Sequence, residues 1–250
     1  MLRGIGQTLV TAGLVVLLFV VYEVYITNLF AHRAQQKVHS AFENDLVNGT
    51  DPLPGAGTGG IPLGTGIANL YIPRLGRDYA FTIVEGTGDS SLEKGPGHYV
   101  GTSLPGQVGD FAVAGHRVGK GEPFLNIDHL RPGDTVIVET VKDWFVYQVE
   151  GDVAGGEAGL AVKDVHGVPG REIVNPGNGD VIDPLPDNPG LVPTKTTPNA
   201  HYITMTTCHP KFTAAQRMII HAQLMPSLTV ARAGVKMPPS IAALYNAAGV

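Results

Sequence analysis

The stretch Tyr202-Ile203-Thr204-Met205-Thr206-Thr207-Cys208-His209-Pro210 decides how the rest of the chain is read. β-Branched and aromatic residues dominate its first six positions, which is the composition of a strand, and a proline-containing turn ends it. A strand that stops at Cys-His-Pro carries its thiol to a sheet edge, exposed enough to react. The next residues, 210–216, are long enough for a hairpin connection, and Arg217-Met218-Ile219-Ile220-His221 reads as the returning strand. That return brings Arg217 back beside Cys208.

Outward from this hairpin, residues 67–72, 80–85, 110–114, 135–139 and 145–151 are further short runs rich in β-branched and aromatic side chains. Turns such as Pro132-Gly133-Asp134 separate them, and 202–207 and 218–225 complete the set. The chain has 33 Gly and 19 Pro but only 16% charged residues, a composition that suits strands and turns better than a helical bundle. Some seven or eight strands point to an all-β fold, a closed or nearly closed barrel. Helical turns are expected at 125–130 and 213–216, and the proline-rich 175–199 segment is expected to be a long ordered loop.

The N-terminus is different. Residues 9–22 are apolar apart from Thr11, and 5–26 approaches the roughly 20 residues that cross a membrane. No small-x-small cleavage pattern follows, so an anchor is preferred to a cleaved signal peptide. Arg3 favours an N-terminus inside, whereas Arg33 and Lys37 pull the other way. The extracellular character of the rest decides for N-in. Residues 48–66 have the composition of a flexible tether with a root-mean-square span of about 24 Å. The expected organisation is a membrane anchor over 1–28, a juxtamembrane segment and linker over 29–66, a catalytic barrel over 67–230, and a tail over 231–250. One substantial domain fits 250 residues. The net charge of −5 without a basic block excludes nucleic acid as an expected partner.

Cys208 is the only cysteine, so no internal disulfide forms, and a thiol retained in an exported chain points to chemistry. A reactive thiol needs a base and a group to hold a developing oxyanion. Of nine histidines, His209 points to the opposite face of its strand from Cys208, and His201 lies too far along it. His32 and His39 precede the tether, and His129 and His166 sit in polar connections. His98, His116 and His221 remain. His116, ending Ala114-Gly115-His116, projects over the rim as Cys208 does and is preferred; His221, mid-strand, stays open. Arg217, a permanent cation with fixed donors, suits an oxyanion. His209 beside Cys208 offers two metal donors without a third, so no metal is expected.

The run Thr204-Met205-Thr206-Thr207-Cys208 resembles the sortase signature Thr-Leu-x-Thr-Cys, with Met205 in place of Leu. Ala114-Gly115-His116 and Arg217 follow the family's pattern in the same order. Gly97-His98-Tyr99, Phe111 to Arg117, Glu172-Ile173-Val174-Asn175-Pro176 and Thr206 to Pro210 are similar to class E sortases of high-GC Gram-positive bacteria. The resemblance implies an eight-stranded β-barrel and a cysteine transpeptidase. Cys208 would attack the Thr carbonyl of a Leu-Ala-x-Thr-Gly-type sorting signal, with Arg217 on the oxyanion and His116 as acid and base. It further implies that Thr207 contacts the substrate backbone, and that Tyr99 favours Ala in the motif by hydrogen bonding. The implied partners are surface proteins bearing sorting signals and an amine from peptidoglycan or a pilin. No cofactor is implied. A cysteine hydrolase on the same barrel and a non-enzymatic wall-associated module are the alternatives.

Overall fold

The computed structural model describes residues 2–22, 27–53, 60–234 and 236–249. Helix α1 covers Leu2–Val21 and helix α2 covers Thr27–Asn48. No Gly or Pro interrupts α2, and Gly49, at φ 70°, ends it in the left-handed conformation typical of a helix C-terminus. Phe42 and Leu46 of α2 are buried, and His39 Nδ1 lies 3.0 Å from Thr82 Oγ1, so this helix docks on the barrel. On α1 the apolar side chains are exposed, with Leu9 at 68% and Val10 at 73%. Among the described residues no helix is long and apolar enough to cross a membrane. The spanning segment expected over 1–28 therefore does not emerge, and residues 23–26 within it lie outside the described set, as do 54–59 of the tether.

The strands are β1 (Gly66–Tyr71), β2 (Ala80–Glu85), β3 (Gly97–His98), β4 (Gly109–Ala114), β5 (Thr135–Glu139) and β6 (Asp143–Val149). They are followed by β7 (Arg171–Val174), β8 (His201–His209), β9 (Gln216–Leu224) and β10 (Val230–Ala231). Hydrogen bonding runs β6-β5-β1-β2-β3-β4-β8-β9, and β9 pairs back onto β6, so these eight strands close a barrel. Strand β7 is added outside on β9, and β10 on β6. Most pairs are antiparallel; β2–β3 and β4–β8 are parallel. The eight-stranded barrel with short helical turns is as expected.

Alternation along β8 and β9 sorts their side chains. Ile203 and Met205, with Ala222 and Ile220 opposite, point into the main core with Met218, Leu70, Phe111 and Val138. The outer face is left with four cross-strand pairs: Tyr202 opposite Gln223, Thr204 opposite His221, Thr206 opposite Ile219, and Cys208 opposite Arg217. Residues 175–199 cover part of this face, with one 3-10 turn at Asp180–Ile182. Val181 and Leu185 are buried.

One expected helical turn needs correction. Residues 213–216 are not helical: the chain leaves Phe212 at φ 67° and runs irregularly into β9. The physical reason is that Arg217 Nη1 donates to the carbonyls of Ala214 (3.1 Å) and Gln216 (3.0 Å), which holds that segment open. The turn expected at 125–130 does form, as a 3-10 turn at Ile127–His129. Between β2 and β3 lies the one-turn helix α3 (Asp89–Leu92), and the tail carries helix α4 (Pro239–Ala247). Ile241 and Tyr245 of α4 pack on Ile137, Trp144 and Val146 outside β5 and β6. Burying each of those two side chains contributes roughly 1.5–3 kcal/mol.

Candidate active site

Cys208 sits near the end of β8, half-buried, directly opposite Arg217. Opposed residues of an antiparallel pair share a face, with Cβ atoms about 5 Å apart. The hairpin read from the sequence thus places guanidinium and thiol on one side of the sheet. His116 arrives from β4. That strand runs parallel to β8 with Ala114 opposite Thr206, and the stitching continues past its end. The Gly115 N–H donates to the Thr206 carbonyl (3.0 Å), and Thr207 Oγ1 donates to the Gly115 carbonyl (2.7 Å). Gly115 is needed for a second reason: a Cβ there would lie 2.4 Å from the Phe124 ring. Phe124 N–H in turn donates to the His116 carbonyl (3.0 Å), fixing where the imidazole leaves the rim.

His116 and Cys208 line one cavity of about 460 Å³, together with Arg117, Val118 and the hairpin loop at 212–214. His116 Nε2 is buried and has no hydrogen-bond partner among the described residues. A buried ring nitrogen without a partner costs free energy, so its position calls for an explanation. Burial, reinforced by the Lys120 cation and opposed by Asp89 and Glu93, holds its pKa below the ordinary histidine value. The ring is therefore neutral near pH 7 and able to take a proton. The two competing histidines are engaged elsewhere. His98 is buried against Glu85 (2.8 Å) and Thr102, and His221 against Glu172 (3.2 Å) and Thr204.

Arg217 and Tyr99 line a second, smaller cavity of about 150 Å³, floored by Thr206 and Ile219 and walled by residues 176–182 of the long loop. Tyr99 Oη lies 2.9 Å from Thr206 Oγ1. Thr207 is placed differently: it is 3% exposed and its hydroxyl is committed to Gly115, so it lines neither cavity. Thr206 presents the groove hydroxyl instead. The pair Cys208–Arg217 divides the two cavities.

Sequence reasoning missed Arg117. Only 4% exposed, it pairs through Nη2 with Asp128 Oδ1 (2.9 Å). Its Nη1 donates to the Cys208 carbonyl (3.4 Å) and lies 3.3 Å from His209 Nδ1. It follows His116 in the chain and grips the residue that bears the thiol. The signal available was an arginine next to the candidate base, a residue type rarely buried without a purpose.

A thiol, an imidazole whose Nε2 has no partner among the described residues, and a guanidinium thus meet at one rim of an eight-stranded barrel. A Sortase domain model matches residues 70–225, and the chain belongs to the sortase family. It is 34% identical over 230 residues to Sortase SrtE1 of Streptomyces coelicolor, a match that covers 89% of this chain and 57% of that protein. The chain therefore spans little more than half the length of that relative. To Sortase SrtE2 of the same organism it is 31% identical over 245 residues, covering 94% and 85%. The SrtF sortase from Corynebacterium diphtheriae has a similar structure, with a TM-score of 0.63 and 38% identity over 77% of this chain and 98% of that one. Sortase E from Streptomyces avermitilis gives 0.54 and 33%, over 72% and 99%. The class E resemblance drawn from the motifs agrees with these relatives.

Proposed function

We propose that the protein is a cysteine transpeptidase that cleaves a Leu-Ala-x-Thr-Gly-type sorting signal between Thr and Gly and joins the Thr carboxyl to an amine. The observation that carries this is the shared placement of Cys208, Arg217 and the unpartnered His116 nitrogen around one rim. The Tyr99 groove takes the residues before the scissile bond, and Tyr99 with Thr206 offers hydroxyls to their backbone. The wider cavity beside His116 takes the leaving glycine and later the incoming amine.

In the first half-reaction neutral His116 accepts the Cys208 proton as sulfur attacks the Thr carbonyl carbon. Arg217 donors face the oxygen that becomes negative. The tetrahedral adduct collapses, the C–N bond breaks, and His116 returns the proton to the departing glycine amine, leaving a thioester. In the second, His116 takes a proton from the incoming amine as it attacks the thioester. The C–S bond breaks, an amide forms, and the proton returns to sulfur. Mass spectrometry of an Ala-containing sorting peptide with and without an amine acceptor tests this. The expected products are the acceptor conjugate and the released glycine fragment. Hydrolysed peptide alone across a range of acceptors would assign the protein as a hydrolase.

The reading includes a place for α1. A helix that exposes Leu9, Val10 and Phe19 to the surroundings forms an apolar patch of the kind that seeks a lipid surface. We infer that it holds the catalytic domain beside the membrane, where a substrate retained by its own tail presents its sorting signal. Removal of residues 1–28 is expected to move the protein from the membrane pellet to the soluble fraction. Equal partition of both forms would refute the attachment.

A further inference from the structure

The row of outward pairs on β8 and β9 does not end at the groove. Beyond Cys208–Arg217 and Thr206–Ile219 lies Thr204–His221, and the groups gathered there take no part in the chemistry above. His221 is fully buried, with Nε2 3.2 Å from Glu172 Oε1. Asp187 of the 175–199 loop joins them, so that one donor atom each from His221, Glu172 and Asp187 lies within 4.8 Å of the others.

We propose that this cluster is a binding site for a divalent transition-metal ion of the zinc class, which fastens the 175–199 loop to the barrel. One imidazole nitrogen and two carboxylates with an open fourth position is a donor set that zinc accepts, whereas calcium and magnesium take oxygen ligands. Around a tetrahedral ion with bonds of about 2.1 Å, ligand atoms stand roughly 3.4 Å apart. The observed spread therefore needs only small side-chain adjustments.

The surroundings of His221 fit the same role. Its Nδ1 lies 2.9 Å from Thr204 Oγ1, and Thr204 donates to Asp110 Oδ1 (2.8 Å). With the ring proton on Nδ1 and given to Thr204, the Nε2 lone pair faces the carboxylates. An outer hydrogen bond of this kind orients most metal-binding histidines. The three ligands come from β7, β9 and the loop between β7 and β8, so an ion would tie that loop to the backbone-paired β7 and β9. Val181 and Ile182 of that loop also wall the Tyr99 groove, and fixing Asp187 would fix them. The expectation of no metal did not bring these three residues together. Glu172 and His221 are 49 positions apart and met only through the β7–β9 register.

The test uses the full chain carrying Cys208→Ala, so that the thiol cannot ligate and binding is read apart from transpeptidation. Isothermal titration with Zn²⁺, Mn²⁺ and Ca²⁺ separately is expected to show one equivalent of Zn²⁺, bound at least about tenfold more tightly than Ca²⁺. Asp187→Asn and Glu172→Gln should each weaken Zn²⁺ by about tenfold or more, and Thr204→Val by about tenfold. His221→Ala opens a hole in a fully buried position, so the loop variant Asp187→Asn carries the test, with its metal-free melting temperature as a folding control. Zn²⁺ should also slow proteolysis within 175–199 in the parent but not in Asp187→Asn. Absence of Zn²⁺ binding, an affinity untouched by Asp187→Asn and Glu172→Gln, or a preference for Ca²⁺ would each overturn the assignment.

Discussion

His116→Ala is expected to slow turnover of the sorting peptide by about 10²–10⁴-fold, with KM nearly unchanged, and Cys208→Ala to abolish it. The split follows from geometry. Neither side chain lines the Tyr99 groove proposed to take the motif, so removing them should withdraw chemistry rather than binding. The proton-transfer role has its own signature in the pH profile. A group whose pKa lies below the ordinary histidine value stays neutral to lower pH, so the acid limb of kcat/KM is expected below the usual histidine range. After burial, the Lys120 cation is the main cause of that depression, and Asp89 and Glu93 oppose it. Lys120→Gln removes a repulsion and should move the limb up. Glu93→Gln removes an attraction and should move it down. Lys120 and Glu93 are themselves paired at 3.1 Å, and freeing Glu93 by removing Lys120 acts in the same upward direction. An acid limb that ignores Lys120→Gln would mean that His116 is not the titrating group.

The hairpin carrying Cys208 and Arg217 was legible because both of its strands are long, β-branched and joined by a connection of readable length. Short strands were not. Strand β3 is the dipeptide Gly97-His98, and β7 is four residues with half-exposed side chains, so neither has a periodicity to detect. His116 could be ranked above His221 from its place at a strand end. What supports the ranking, the hydrogen bonds that engage His98 and His221, depends on residues distant in sequence. Thr206 and Thr207 show the same boundary. Alternation says that one faces the core side and one the groove, but only the register with β4 shows that Thr207 is tied to Gly115. The docking of α4 on Trp144 was hidden because a small-residue helix shows little apolar contrast until its partner surface is known.

Arg117 and Asp128 yield the second large effect, and the two should separate stability from rate. Although burial alone would raise its pKa, Arg117 with Lys211 behind it holds the Asp128 carboxyl below the usual carboxylate range. Asp128→Asn leaves the 4%-exposed guanidinium without its counter-charge. The expected loss is about 2–3 kcal/mol, at or below the low end for buried pairs because Asp128 keeps about a third of its exposure. Arg117→Met is gentler on the fold. Methionine keeps an apolar stem in place beside Met218, and Asp128 retains Lys211 at 3.8 Å and, being about a third exposed, water. Yet it removes the donor on the Cys208 carbonyl and loosens the joint between the His116 loop and β8. A misplacement of about 1 Å between base and nucleophile costs on the order of 100-fold in rate. Arg117→Met should therefore lose more kcat than Asp128→Asn while losing less stability, with KM unchanged in both. Thermal melts and single-turnover thioester formation on the same preparations give the comparison. If kcat simply followed melting temperature across the two variants, Arg117 would be a structural residue only, and the alignment of His116 with Cys208 would have to come from Gly115 and Thr207 alone.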